Sequence, residues 1–310
     1  MAFKTPPFLR RIKYSFFYRY DKKRIFSILV TFFGAIGFTW TLVECYSWVF
    51  ENTPDLPDAL RIYIRGHLIW LGVIFLLIGF YQHRRKVRLS QTFTNTDLTI
   101  IVEFCDLFKQ EGAIVIPVMD TFDNDTSNNL VNPKSIHGQF VSTYYPNNLQ
   151  ALDNQVSLTL TSKGFIANPI EQNLKGNKQR YEIGTTCPIR TNNKYFYLTA
   201  LTYMTETGNV TIQPDYIGQF LAGLWNFIPT HGDYCDTINI PVIGTGLSRL
   251  PAAYTREYIL REIAHSFFVY SKLKTVCKTL RICLNINDYK HYDFNDIKII
   301  FIHIDKYLNR

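Results

Sequence analysis

The chain has no Cys-x-x-Cys pair and no cysteine–histidine spacing of the kind that ligates zinc. Its six cysteines stand apart at 45, 105, 187, 235, 277 and 283. That scatter argues against a metal site and, over 310 residues, against the disulfide framework of a small secreted domain. The thiols read as reduced and cytosolic. An internal repeat and a low-complexity segment are also missing. A uniformly basic surface is missing too: residues 1–98 hold 14 basic and 6 acidic residues, whereas residues 99–310 hold 19 of each. The whole net charge of +8 therefore sits in the first third, which argues against a nucleic-acid partner. With 47% hydrophobic and 15% aromatic residues, the chain is too apolar to be largely disordered.

What is present divides at about residue 98. Residues 25–43 (IFSILVTFFGAIGFTWTLV) carry no charge. A helix over them is roughly 28 Å long at about 1.5 Å per residue, near the hydrocarbon thickness. Trp40, Tyr46 and Trp48 fall where an aromatic belt would lie. A second uncharged run, residues 66–82, is flanked by Arg65 and by Arg84, Arg85, Lys86 and Arg88. These two runs predict a transmembrane hairpin, with the proline-containing stretch 51–65 as an exposed connection. Basic residues before the first span and after the second orient both termini to the cytosol, at a bacterial inner membrane. The basic and aromatic stretch 8–20 reads either as an interfacial helix on anionic lipid or as an extension of the first span.

From residue 99 to 310 strands and helices alternate. TIIVEF, AIVIPV, YFYLTALTY, TINIPVIG, LRICLNI and IKIIFIHI read as strands, the last a strong final one. Residues 133–145, 214–228 and 251–273 read as helices, and 162–180 as a polar insertion. The fold class is α/β: a three-layer α/β/α domain with a mixed sheet, behind the membrane hairpin.

Three loops collect the candidate chemistry. In IPVIGTGLSRLP a buried strand ends in Gly244-Thr245-Gly246, followed by Leu247, Ser248 and Arg249. Glycines at such a turn let backbone N–H groups approach an anion, though an ordinary tight turn has the same pattern. No Gly-Lys-Ser/Thr follows, and Arg249 replaces the last glycine of a dinucleotide fingerprint. After AIVIPV runs a polar loop that ends at a helix start with Ser135, His137, Gly138 and Gln139. The third piece is YEIGTTCPI, with Thr185 beside Gly184.

Taken in order, CDLF, IPVMDTFD, SIHGQF, IGTT and IPVIGTGLSRLP resemble a macro domain, the ADP-ribose-binding module, over about residues 97–305. Two spans followed by such a domain resemble the membrane-bound effector of the bacterial type II Thoeris anti-phage system. The resemblance implies that Asp106 in CDLF pairs with the adenine amino group. It further implies that the SIHGQF and Gly244–Ser248 loops wrap the phosphates, and that Val118, Met119 and Asp120 approach the distal ribose. It implies a signal derived from nicotinamide dinucleotide by a partner TIR-domain enzyme, an ADP-ribose conjugate of histidine. Binding would drive homo-oligomers, tetrameric or larger, that disrupt the lipid bilayer. No metal or resident cofactor is implied. The sequence departs from the hydrolases of that fold: VMDTFD lacks their Asn-x-x-Asn chemistry, with no Asn before Asn124, and the diglycine of the phosphate loop is reduced to Gly138. These departures favour a binder over an enzyme. A membrane-tethered ADP-ribosyl hydrolase using Asp120 and a constitutive anchor for a protein partner are the alternatives.

Overall fold

Apolar helices come first. In the computed structural model, which describes residues 7–17, 22–49, 55–94, 96–128, 130–169, 175–244, 250–251 and 254–308, the chain forms two units, Met1–Val87 and Arg88–Arg310. The first holds α1 (Pro7–Ile12), a π-helical turn (Lys13–Phe17), α2 (Lys22–Val49) and α3 (Asp55–Gln82). Residues 55–65, expected as an exposed connection, are helical. Pro57 sits in the first turn of α3, where a missing N–H breaks no intrahelical bond. α2 and α3 pack against each other, and an added Cβ at Gly79 would lie 3.3 Å from Ile28 Cγ2. Arg24 is buried at the base of this pair. Its guanidinium donates to the carbonyls of His83 and Ser15, both at 2.8 Å, while the Arg85 N–H donates to Ser15 O at 2.8 Å.

Among the described residues, one helix, Lys22–Val49, is long and apolar enough to cross a membrane; within α3 the apolar stretch Ile69–Gln82 is shorter. Large apolar side chains face outward on both helices, among them Phe26, Phe33 and Phe38 on α2 and Ile69, Trp70 and Leu77 on α3. Each such side chain left in water forgoes about 1.5–3 kcal/mol of burial.

The second unit is built on a mixed sheet. Its strands are β1 (Arg88–Thr92), β2 (Thr99–Phe104), β3 (Ala113–Met119), β6 (Thr186–Thr191), β7 (Lys194–Met204), β8 (Val210–Thr211), β9 (Thr237–Pro241) and β10 (Thr279–Leu284); β4 (Asn168–Pro169) and β5 (Gln179–Arg180) form a separate small ribbon. The order is β1-β2-β10-β9-β3-β7-β6, with β8 paired to β7. β2, β10, β9, β3 and β7 run parallel, while β1, β6 and β8 are antiparallel additions. β1 draws the second unit back to Arg88, in a stretch whose charge reads as a membrane flank.

Helices cover both faces. α4 (Ile136–Tyr144) and α5 (Leu149–Ser162) pack on β3 and β6. On that face Phe140, Leu152 and Val156 meet Ile114, Ile116, Phe196 and Leu198. α6 (Pro214–His231), α7 (Arg256–Leu273) and α8 (Phe294–His303) form the other layer. Tyr197 turns that way, to Phe227, as period-two alternation along β7 requires. This is the expected three-layer α/β/α class. One element differs: the run IKIIFIHI, read as a final strand, belongs to α8. Asp293 caps that helix by accepting from Asn295 N at 2.9 Å. Phe294, Ile297, Phe301 and Ile304 face the core at helical spacing, whereas Ile299 and Ile302 are exposed. α5, with its buried stripe Leu152, Val156 and Leu160, lies in a stretch whose helical period was not read.

Candidate functional site

The parallel strands deliver their carboxyl ends to one edge of the sheet, where open α/β sheets hold ligands. Phe104 leads there to Asp106, Met119 to Asp120, Pro241 to Gly244 and Leu284 to Asn285.

Asp106 follows β2 and caps the short turn Leu107–Lys109, accepting from Phe108 N at 3.1 Å. Its side chain is 53% exposed, with Lys109 Nζ at 3.9 Å. One N–H and a solvated lysine leave this carboxylate with acceptor capacity.

Asp120, after β3, is the opposite case at 1% exposure. Oδ1 accepts from Met204 N at 2.9 Å. Oδ2 is ion-paired with Arg180, whose other terminal nitrogen donates to Met204 O at 2.8 Å. Burial pushes the Asp120 carboxyl above its ordinary value, against the lowering pull of Met204 N–H and Arg180. Both oxygens of this carboxylate are thus engaged within the fold. Val118 and Met119 likewise point their side chains into core clusters, Val118 with Phe140 and Met119 with Val131 and Met204.

The residues that follow tie the polar insertion down. Thr121 Oγ1 donates to Asp123 Oδ2 at 2.6 Å, and Asn177 N donates to Asp123 Oδ1 at 2.7 Å. Phe122 adopts φ 50° between them, a left-handed conformation that a bulky residue rarely takes. Residues 177–180 are therefore docked on the loop after β3 through Arg180 and Asn177.

At α4, Ser135 is the N-cap and accepts from Gly138 N at 3.0 Å, while Gln139 N donates to Ser135 O at 2.9 Å. The N–H groups of Gly138 and Gln139, expected to face phosphate, are thus engaged within the helix start. Gly138 is needed for another reason: a Cβ there would lie 2.2 Å from Asn132 O. His137, at the same helix start, is buried. Its Nε2 lies 2.8 Å from Asn124 Oδ1. Because that oxygen only accepts, Nε2 carries the proton. Burial lowers the His137 pKa to about 4, so the ring is neutral at pH 7. Gln139 is exposed and donates to Lys134 O at 3.0 Å.

Thr185 is buried and its carbonyl accepts from Ala200 N at 2.9 Å. Its neighbour Gly184, at φ 92°, lets α6 pass close, since an added Cβ would lie 2.5 Å from Gln219 O. Gly244 also has positive φ, 68°. Thr245, Gly246, Leu247, Ser248 and Arg249 lie outside the described residues. Among the described residues no group of three or more His, Cys, Asp or Glu is arranged to hold a metal ion. The sequence reading missed Arg180 and Asn177, whose polar insertion carries no motif that would single them out, and Asp123, which closes the quoted run IPVMDTFD.

Residues 100–285 match the family model described as the macro domain of Thoeris protein ThsA. The Thoeris protein ThsA of Bacillus amyloliquefaciens (strain Y2) is 21% identical over 249 residues, covering 79% of this chain and 81% of that protein. Two mutant forms of an Oceanobacillus iheyensis macrodomain, each 13% identical, superpose with TM-scores of 0.48 and 0.44. They cover 71% and 69% of this chain and 100% and 94% of theirs. The family match spans more than half of the chain, which therefore belongs to the Thoeris ThsA macro-domain family.

Proposed function

We propose that the second unit binds an ADP-ribose-type signal derived from nicotinamide dinucleotide, the histidine conjugate supplied by a partner TIR-domain enzyme. The first unit is then the effector: a two-pass anchor in the inner membrane with cytoplasmic termini, which assembles into tetramers or larger oligomers and breaches the bilayer. The observation that carries the binding reading is the contrast in acceptor capacity along the strand ends. Asp106 keeps free lone pairs for an adenine amino group. Two strands along the sheet order lies Gly244, at positive φ, and in this reading the glycine-rich sequence that begins there, Gly244-Thr245-Gly246, offers backbone N–H groups to the diphosphate. Binding without turnover is supported by the state of the two candidate bases. Asp120 is locked by Arg180 and Met204, and the His137 ring is buried and bonded to Asn124. The outward apolar side chains of α2 and α3 support a lipid environment. A signal that binds the assembled state more tightly shifts the population toward it.

Calorimetry of the full chain in lipid nanodiscs, titrated with ADP-ribose and with its histidine conjugate, tests the first step. Asp106→Ala is expected to weaken both at least tenfold, the loss of one charge-assisted bond of about 1.5–3 kcal/mol. No heat with either ligand on the unmodified chain refutes the reading. Release of dye from proteoliposomes on adding the conjugate tests the second step.

A further inference from the structure

In the first unit, the segment before the long apolar helix is tied to the base of the α2–α3 pair. Ser15 O accepts from a terminal nitrogen of Arg24 and from the Arg85 N–H, both at 2.8 Å. Ser15 Oγ donates to Arg85 O at 3.0 Å, and Arg24 Nε donates to His83 O at 2.8 Å. In one unbroken helix Ser15 and Arg24 would stand about 13 Å apart along the axis, at roughly 1.5 Å per residue. An arginine side chain does not reach that far. The turn Lys13–Phe17 is therefore a separate element held at the base of the pair, and not an extension of the first span. Tyr14 and Ser15 form its buried side. Its outward side is both apolar and cationic. Phe8 and Phe17 are 69% and 68% exposed. Lys13, between them in sequence, is exposed, as are Lys22 and Lys23 where α2 begins.

The charge at this end has one sign. Residues 7–17, 22–43 and 81–87 hold nine Lys or Arg and no Asp or Glu. Two of the nine are engaged within the fold. Arg24 is held by backbone carbonyls. Arg84 donates to Tyr81 O at 2.9 Å and lies 3.8 Å from the centroid of that ring. The helix long and apolar enough to cross a membrane starts within this cluster, at Lys22. We propose that the rim formed by Lys13, Lys22 and Lys23 with Phe8 and Phe17 binds the headgroups of anionic glycerophospholipids. The ammonium groups meet the lipid phosphates, and the phenyl groups enter the acyl boundary. A nucleic acid or an acidic protein would answer the charge and leave the phenyl groups in water. An anionic bilayer answers both. The rim needs no nucleotide, and it shares with the effector reading only the placement of α2 in a bilayer.

The test uses the full chain in vesicles of equal parts phosphatidylglycerol and phosphatidylcholine. The protein is floated with the vesicles in a density gradient and re-extracted in mild detergent, and the lipid it retains is counted by mass spectrometry. Phosphatidylglycerol is expected to exceed phosphatidylcholine about tenfold, since each basic group near an anionic surface adds several-fold to binding. The triple variant Lys13→Gln, Lys22→Gln and Lys23→Gln should bring that ratio close to one. Lys175, Lys274 and Lys298 are exposed in the second unit. The triple variant Lys175→Gln, Lys274→Gln and Lys298→Gln removes the same charge and should leave the ratio as it is. A ratio of one in the unmodified chain, or an equal fall in both triple variants, overturns the rim while leaving the membrane anchor standing. A chain that does not float with the vesicles overturns the anchor and the rim together.

Discussion

The chain after β2 and the chain after β3 each place an aspartate within two residues of a parallel strand, and the two fates are opposite. Asp106 is half in solvent with one N–H bond. Asp120 has vanishing exposure and both oxygens occupied. What separates them is the partner each loop meets. The β2 loop closes on itself through the turn Leu107–Lys109. The β3 loop receives an insertion that brings Arg180 and Asn177 to its carboxylates. A carboxylate at the end of a strand is thus free to recognise a ligand only where no other segment of the chain has claimed it.

The comparison breaks most visibly if Asp120→Ala is tolerated. That change leaves the Arg180 guanidinium, only 15% exposed, without its counter-ion. Removing one partner of a buried pair costs about 3–5 kcal/mol. The expected outcome in thermal unfolding of the full chain is loss of the cooperative transition of the second unit, or a fall in its midpoint of ten degrees or more. An Asp120→Ala protein that melts as before would return the residue to the list of ligand contacts.

Next in size is the pH dependence of the loop after β3. The His137 pKa falls from an ordinary 6.5 to about 4 on folding. Between those values the unfolded chain binds a proton that the folded one refuses, so stability is full above pH 6.5 and is lost as pH falls toward 4. The span corresponds to about 3 kcal/mol. Asp120 and Asp123, whose carboxyls are raised by burial, act in the opposite sense. The difference between the unmodified chain and His137→Gln isolates the histidine. Denaturant midpoints should separate most near pH 7 and converge by pH 4. Parallel curves would mean that the ring titrates alike in the folded and the unfolded chain.

The layered architecture was legible because its carriers are local. β3 and β7 are near-continuous apolar runs, and α6 and α7 carry helical stripes, so period alone assigns them. Residues 297–304 misled for the same reason: eight residues that are mostly isoleucine satisfy either period, and only the cap at Asp293 decides. The exposure of Asp106 is a local matter, since the turn it caps is closed by its own neighbours in sequence. Asp120 could not be assigned, since its fate is decided by Arg180, sixty positions away in a segment with no pattern of its own. Gly138 invites a phosphate reading until Asn132 is seen behind it.

Gly138→Ala sharpens that last point. An added methyl would sit 2.2 Å from Asn132 O and 2.7 Å from Pro133 Cα, both backbone atoms with little room to retreat. A cost of about 1–3 kcal/mol follows from overpacking. The signature is a lower denaturant midpoint in the absence of any nucleotide. A glycine kept for phosphate contact would instead lose affinity at unchanged stability.

The smallest effect is expected at Asp106, and it bears most directly on the contrast. Asp106→Asn keeps an oxygen to accept from Phe108 N, so the turn after β2 retains its cap. At an exposed position the change in stability should stay within about 0.5 kcal/mol. Binding should nevertheless weaken, because the neutral amide is a poorer acceptor than the carboxylate for an adenine amino group. A shift in midpoint comparable to that of Asp120→Ala would show that both strand ends are scaffold. A contact for the adenine of the proposed ligand would then have to be sought elsewhere along the carboxyl edge, with the turn after β10 at Asn285 as the next position to test.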